Sequence, residues 1–360
     1  MKQIGKTIAA ILTAAGICAA MPAYTVACTS MVVSAKASAN GRPLLWKHRD
    51  TGADNNFLYR VEPTDSTYGF TGLFNGGDSL LTEAWMGVND CGFAIMNTAS
   101  YNLAPDTAKV KDREGIVMKK ALEVCRTVDD FALLLTALPR PMGVQANFGV
   151  IDALGGAAYF ETNDVGYTRF DASESESGVL IRTNFSTTGN VEDGMGYIRY
   201  AAAETLAAPF IATGTMAPEI FTEILSRSYY HGLTGHDYMA MDERYVANSD
   251  FIPRDISTAS VVIEGVEAGG NPEDIHIWAA MGYPPCATVS CNTLTHIAPE
   301  AGPDMEGWRS SACAASIEES RKAIPFVGGN GKRYLDLDVL RPVIEQAHRQ
   351  SMDVYRTNLK

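Results

Sequence analysis

Residues 28–33 read Cys-Thr-Ser-Met-Val-Val, residues 40–41 are Asn-Gly, and residues 44–50 read Leu-Leu-Trp-Lys-His-Arg-Asp. Thr29 to Ser34 and Leu44 to Trp46 are β-prone runs, and Asn40-Gly41 accepts the positive φ of a tight reversal, so this stretch predicts a hairpin with Cys28 at its tip. The same grammar recurs along the chain. Trp85 to Val88 and Phe93 to Met96 flank Asn89-Asp90-Cys91-Gly92, and Phe148 to Ile151 and Ala157 to Phe160 flank a turn over 152–156. Gly178 to Ile181, Ser260 to Glu264 and Ile275 to Ala280 add strands. Helical patterns fall at Gly115 to Arg126, Asp129 to Leu138, Gly196 to Leu206, Pro218 to Ser228 and Leu335 to Val354. In the last, Leu340, Val343, Ile344 and Ala347 recur at helical spacing and define a buried face. Hairpins with helices in adjacent pairs argue for an α+β fold of packed, mainly antiparallel sheets covered by helices, not for alternating βαβ units.

Upstream of the hairpin, Lys2 and Lys6 precede an apolar stretch from Thr7 to Met21, then Pro22 and Ala23-Tyr24-Thr25-Val26-Ala27. This is the pattern of a secretory signal, with Thr25 and Ala27 suiting the small-residue subsites before a cleavage. Removal of 1–27 leaves residues 28–360 as one domain that begins with Cys28 and is exported to the periplasm or the extracellular space. A second reading is a lipoprotein signal, in which Cys28 is lipidated and anchors a surface binding protein; the usual aliphatic residue three places earlier is Thr25 here.

Composition excludes several classes. The 360 residues carry 29 Lys plus Arg against 42 Asp plus Glu, a net charge of −13 that opposes the basic face nucleic-acid binding requires. Beyond the N-terminus no apolar run is long enough to span a bilayer. His48-Arg49-Asp50 mimics a kinase catalytic loop without the accompanying glycine-rich loop or Asp-Phe-Gly. Gly328-Gly329-Asn330-Gly331-Lys332 is followed by Arg333 instead of Ser or Thr and reads as a turn, not a phosphate loop. No nucleophile elbow and no zinc-protease motif occur, and His231 with His236 fits neither a helical nor a strand metal pair. Cys286 and Cys291 are the only close cysteine pair, and no histidine stands at zinc spacing from them. The cysteines therefore read as structural thiols, and no cofactor or metal is expected.

What remains is Cys28. A cysteine at a free N-terminus sets a thiol of reference pKa about 8.5 beside its own α-amine at about 7.7 to 8.0, close enough to exchange a proton directly or through one water. Nucleophile and base are then one residue. Attack on an amide carbonyl creates an oxyanion that needs preorganised donors, and the amine needs a carboxylate to hold it.

The run Cys28 to Val33, Asn40-Gly41 and Trp46 to Asp50 resembles the opening of cysteine-type N-terminal-nucleophile hydrolases. That group includes choloylglycine (bile salt) hydrolases, penicillin V acylases, acyl-CoA:isopenicillin N acyltransferases and related dipeptidases. Gly87 to Asn97, Asn147 to Asp152 with Tyr159-Phe160-Glu161, and Ile181-Arg182-Thr183-Asn184 resemble later segments of the group in the same order. The resemblance implies a four-layer αββα sandwich. It implies Cys28 as nucleophile and base, Asp50 as the carboxylate holding the amine, and Asn97 and Asn184 as residues lining the site and forming the oxyanion hole. Lys47 stands where the group often has arginine, keeping the charge without the planar fork, and Arg199 matches a second arginine near the nucleophile. The implied activity is cleavage of a linear amide, such as an N-acyl amide or bile-acid conjugate, through a thioester. Water resolving that thioester makes a hydrolase and an amine makes an acyltransferase; a dipeptidase is a further alternative on the same site.

Overall fold

The computed structural model describes residues 27–325 and 333–359. The segment read from the sequence as a secretory signal lies, up to residue 26, outside the described residues, as does the glycine-rich stretch 326–332.

The opening hairpin forms as the sequence predicts. β1 (Thr29–Val33) and β2 (Leu44–Asp50) pair antiparallel, with Thr29 opposite His48 and Val33 opposite Leu44, and Gly41 takes φ 72° in the connection. Four residues beyond Trp46 also belong to β2, because a second neighbour, β11 (Ser257–Glu264), pairs along its other edge from Leu44 to Asp50. The six-stranded sheet built on this pair has the order β10 (Val179–Arg182), β1, β2, β11, β12 (His276–Met281), β13 (Val289–Asn292). A seven-stranded meander follows chain order: β3 (Asn56–Val61), β4 (Phe70–Asn75), β5 (Met86–Asn89), β6 (Ala94–Ala99), β7 (Ala146–Ile151), β8 (Ala157–Thr162) and β9 (Tyr167–Asp171). Every pairing in both sheets is antiparallel.

Three apolar layers separate four structural layers. Val32, Leu45, Val261 and Ile277 of the first sheet meet Leu73, Met86, Met96 and Tyr159 of the second in the central layer. The outer face of the six-stranded sheet buries Trp46, Val262 and Trp278 beneath Ala203 and Ala207 of α3 (Tyr197–Thr213), Phe221, and Tyr355 of α5 (Leu337–Asn358). The outer face of the meander buries Phe93, Phe148 and Phe160 beneath Met118 and Leu122 of α1 (Glu114–Val124) and Phe131 of α2 (Val128–Ala137). Thr127 caps α2 through a reciprocal bond with Asp130, which explains its start. The architecture is an α+β, αββα sandwich of two antiparallel sheets. No helix among the described residues is long and apolar enough to cross a membrane.

Several details differ from the sequence reading. Pro218 to Ser228 is not an α-helix: Ile220–Ile224 is π-helical and Leu225–Arg227 is a 3₁₀ turn. The third helix runs on through Pro209 to Thr213. His231 and His236, which seemed to fit no strand pair, face each other across a short hairpin, and no metal-holding group of His, Cys, Asp or Glu occurs among the described residues. A helix not foreseen, α4 (Ser311–Ala323), starts at a Ser310 cap. The six cysteines of the described residues are all free thiols.

Candidate active site

Strand alternation explains the buried polar cluster at the start of the chain. In β2, Leu45 belongs to the central layer while Leu44 and Trp46 belong to the outer one, so Lys47 and Arg49 point between the sheets and His48 and Asp50 point toward the helices. Because β2 is interior to its sheet and both faces are covered, all seven of its residues are buried. The polar ones must then find partners inside the protein.

Cys28 directly precedes β1, is 2% exposed, and its Sγ lies 3.9 Å from the Asp50 carbonyl oxygen. Arg199, on the first turn of α3 and 3% exposed, donates from one Nη to the Cys28 carbonyl at 2.8 Å and to Thr29 Oγ1 at 2.9 Å. Its other Nη donates to Asn184 Oδ1 at 2.6 Å. A single guanidinium therefore ties the Cys28 backbone to the asparagine beyond β10. Burial lowers the Arg199 pKa, countered by Asp50.

Asp50 ends β2. Its Oδ1 accepts the Ser257 hydroxyl at 2.6 Å. Its Oδ2 is buried and accepts no hydrogen bond among the described residues, the Arg254 Nη1 standing off at 3.8 Å. Burial pushes the Asp50 carboxyl up to about 6, against the pull of Arg254, Arg199 and the Ser257 bond.

Lys47 is no solvated charge. It is 2% exposed and its ammonium donates to Asn97 Oδ1 at 2.7 Å and to the Trp85 carbonyl at 2.9 Å. Burial pulls it from its ordinary 10.5 down to about 7. With Oδ1 of Asn97 held by Lys47, the amide nitrogen of Asn97 is the end left to face a ligand. Asn184 donates from Nδ2 to the Ala99 carbonyl at 2.9 Å, which sets its side-chain plane. The six residues singled out in the sequence thus fall in two hydrogen-bonded groups, Cys28, Asp50, Asn184 and Arg199 in one and Lys47 with Asn97 in the other, and Cys28 acts electrostatically on Lys47 between them.

These groups rest on a second tier of residues. Asn147 donates to Thr98 Oγ1 and to the carbonyls of Thr183 and Phe185, and accepts from Ser186, bracketing Asn184. Buried Glu161 accepts Arg182 at 2.8 Å and the backbone and hydroxyl groups of Thr187 and Thr188. Burial raises the Glu161 pKa, yet those partners prevail and hold it below its ordinary value. Sequence reading quoted both residues within strand motifs without a role. It missed Ser257 and Arg254 altogether, whose signal is only positional: they lead into the strand that pairs with β2.

Beside Lys47 and Asn97 opens a cavity of about 320 Å³, whose lining includes Trp85, Tyr101, Asp112, Glu114 and Val144. It combines an aromatic wall with acidic groups, and burial pushes Glu114 up to about 7. Asn97 lines this cavity, so the site opens into it.

The fold and site define the class of protein in structural terms: a four-layer αββα sandwich with a buried cysteine just before β1, a buried carboxylate at the end of β2, and asparagines on β6 and just beyond β10. No family model matches the sequence, and no curated protein matches it. Among solved structures, the chain is similar to a mutant of the conjugated bile acid hydrolase from Clostridium perfringens, at 11% identity over 74% of this chain and 92% of that one, with a TM-score of 0.45. It is similar to penicillin V acylase from Agrobacterium tumefaciens at 14% identity over 74% and 86%, TM-score 0.44. It is also similar to a Caenorhabditis elegans N-acylethanolamine-hydrolyzing acid amidase ortholog at 12% identity over 67% and 93%, TM-score 0.42.

Proposed function

We propose that this chain is an exported hydrolase of linear amides, a cysteine-type N-terminal-nucleophile enzyme in which Cys28 becomes the first residue on removal of 1–27. The observation that carries the reading is the pairing of a buried cysteine with a buried carboxylate one of whose oxygens, Asp50 Oδ2, has no hydrogen-bond donor among the described residues. A primary amine on Cys28 supplies such a donor, and the carboxylate then orients it.

In this mechanism the amine takes the thiol proton as Sγ attacks the amide carbonyl, forming the S–C bond and a tetrahedral oxyanion. Asn97 and Asn184 donate to that oxygen. Collapse breaks the C–N bond, the ammonium returns its proton to the leaving amine, and a thioester remains on Cys28. Water, deprotonated by the same amine, attacks the thioester and releases the acid. Arg199 holds the carbonyl of the reacting residue throughout, fixing its direction. The cavity beside Asn97 takes one side of the substrate, its aromatic wall suiting an apolar group.

Lipidation and catalysis exclude each other, since a diacylglyceryl thioether on sulfur and an acyl group on the amine would remove both nucleophile and base; a sulfur buried at 2% exposure disfavours so bulky a group on it. Replacing Cys28 by Ala tests the reading: turnover of a panel of N-acyl amides should vanish with an unchanged far-UV spectrum. Substantial residual amidase activity would contradict it, as would a mature N-terminus other than a free Cys28.

A further inference from the structure

Behind Asp50 runs an unbroken chain of buried polar groups that the mechanism above does not use. The Trp46 indole donates to Ser260 Oγ at 2.9 Å, and Ser260 Oγ lies 2.7 Å from Ser226 Oγ. Ser226 Oγ lies 3.1 Å from His48 Nδ1, His48 Nε2 lies 2.9 Å from Ser257 Oγ, and Ser257 donates to Asp50 Oδ1 at 2.6 Å. Every member of the chain is 0% exposed. A backbone N–H, from Arg254, also points at Ser257 Oγ at 2.8 Å.

The directions of these bonds are decided by counting protons. An indole only donates, so Ser260 accepts from Trp46 and has Ser226 as the sole acceptor within reach for its own proton among the described residues. Ser226, having accepted, gives its proton to His48 Nδ1. That leaves the ring as the tautomer protonated at Nε2, which donates to Ser257, and Ser257 in turn gives its proton to Asp50. The opposite order starts from a protonated Asp50 donating to Ser257, passes through a ring protonated at Nδ1, and strands the Ser260 hydroxyl proton against a group that cannot accept it. A stranded buried donor is costly. The ring is neutral in either order; burial, reinforced by Arg199 and Arg254, pulls His48 down to about 3.

We propose that Trp46, Ser260, Ser226, His48 and Ser257 form a one-way hydrogen-bond chain that positions Asp50 and favours its ionised form, so that Oδ2 stays a free acceptor for the amine of Cys28. These are positioning residues, and the inference rests on the role assigned to Asp50 above. The chain opposes the upward push that burial exerts on this carboxyl. Arg254, Arg199, Asp255 and Tyr283 also face Asp50 electrostatically, with His48 Nε2 at 3.8 Å and Cys28 beside its carbonyl. A change at Ser226 leaves the charges of Arg254, Arg199 and Asp255 in place and reaches Asp50 only through the His48 ring.

The test is made on the processed protein with selectively ¹⁵N-labelled histidine, of which the chain has 6, assigning His48 by its loss in His48→Gln. The parent should show a protonated Nε2 and a bare Nδ1 across neutral pH. Ser226→Ala removes the donor behind the ring and should mix the two tautomers. It should also move the acid limb of kcat/KM upward by about one pH unit, while Ser226→Thr, which keeps a hydroxyl, restores both. A parent ring protonated at Nδ1, or a Ser226→Ala protein whose acid limb stays in place, overturns the proposal. Should Ser226→Ala not fold, the tautomer of the parent decides alone. The ring measurement needs no turnover, so it stays distinct from the Cys28→Ala assay, whose failure would sink the hydrolase reading instead.

Discussion

Replacing Lys47 by Met separates what this residue costs the fold from what it does for the site. Burial takes the ammonium from its ordinary 10.5 to about 7, so between those values the folded protein has released a proton that the unfolded chain still holds. Stability therefore rises with pH across that window, by about 1.4 kcal/mol per unit. At pH 6 both states are charged, and the folded state bears the whole penalty, about 5 kcal/mol. Met removes that penalty but leaves Asn97 Oδ1 and the Trp85 carbonyl without their donor, a loss of about 1 to 2 kcal/mol each. The variant should therefore be more stable than the parent at pH 6, by about 1 to 3 kcal/mol, and less stable at pH 10, with activity strongly reduced at both because Asn97 is released. Urea melts at intervals from pH 6 to pH 10 read the difference, in which all other titrating groups cancel. A parent-minus-variant stability that is flat across this range would refute the reasoning, for it would mean that Lys47 does not titrate in the folded state as its burial requires.

Other expectations follow from single contacts. Asn184→Ala should lower kcat by about 10² to 10³ if its amide donates to the oxyanion; an unchanged kcat removes it from that role. Arg199→Met should reduce kcat more than it raises KM, since it frees the Cys28 carbonyl and Asn184 together, and steady-state kinetics give the split. Glu161→Gln should cost about 3 kcal/mol at pH 7 by breaking a buried ion pair. Because the folded pKa of Glu161 is depressed, that contribution is present above the unfolded value and is lost as pH falls through the folded one, so parent and variant should converge in acid melts.

The hairpin that follows Cys28 was legible because its alternation is strong and Asn40-Gly41 marks the reversal. The rest of β2 was not, since Lys47, His48, Arg49 and Asp50 carry no apolar period and only the unseen neighbour β11 makes them a strand. The same lack of context hid the burial of Lys47: four charged or polar residues in a row look solvated until a sheet closes over both faces. Helix α4 escaped notice because its buried face is made of Cys313, Ser316, Ser320 and Ala323, small residues that leave almost no apolar signal. The π-helical turn at Ile220–Ile224 shares the local composition of an α-helix, and a difference of one residue per hydrogen bond cannot be read from eleven residues of pattern. Cys28, Asp50, Asn97 and Asn184 were singled out by order and motif. Ser257, Ser226 and Ser260 could not be, because serines in a core announce themselves only through partners distant in the chain.

The central claim is that the sulfur of residue 28 carries the acyl group while its own amine is free. Acid quenching of the processed protein during turnover of an N-acyl amide, followed by peptic digestion and peptide mass mapping kept at acid pH so that the acyl group does not migrate from sulfur to the amine, tests it directly. The account predicts an acyl mass on the peptide that starts at Cys28, labile to hydroxylamine and absent from Cys28→Ala. An acyl group found elsewhere, or a Cys28 peptide bearing lipid or a blocked amine, would contradict it.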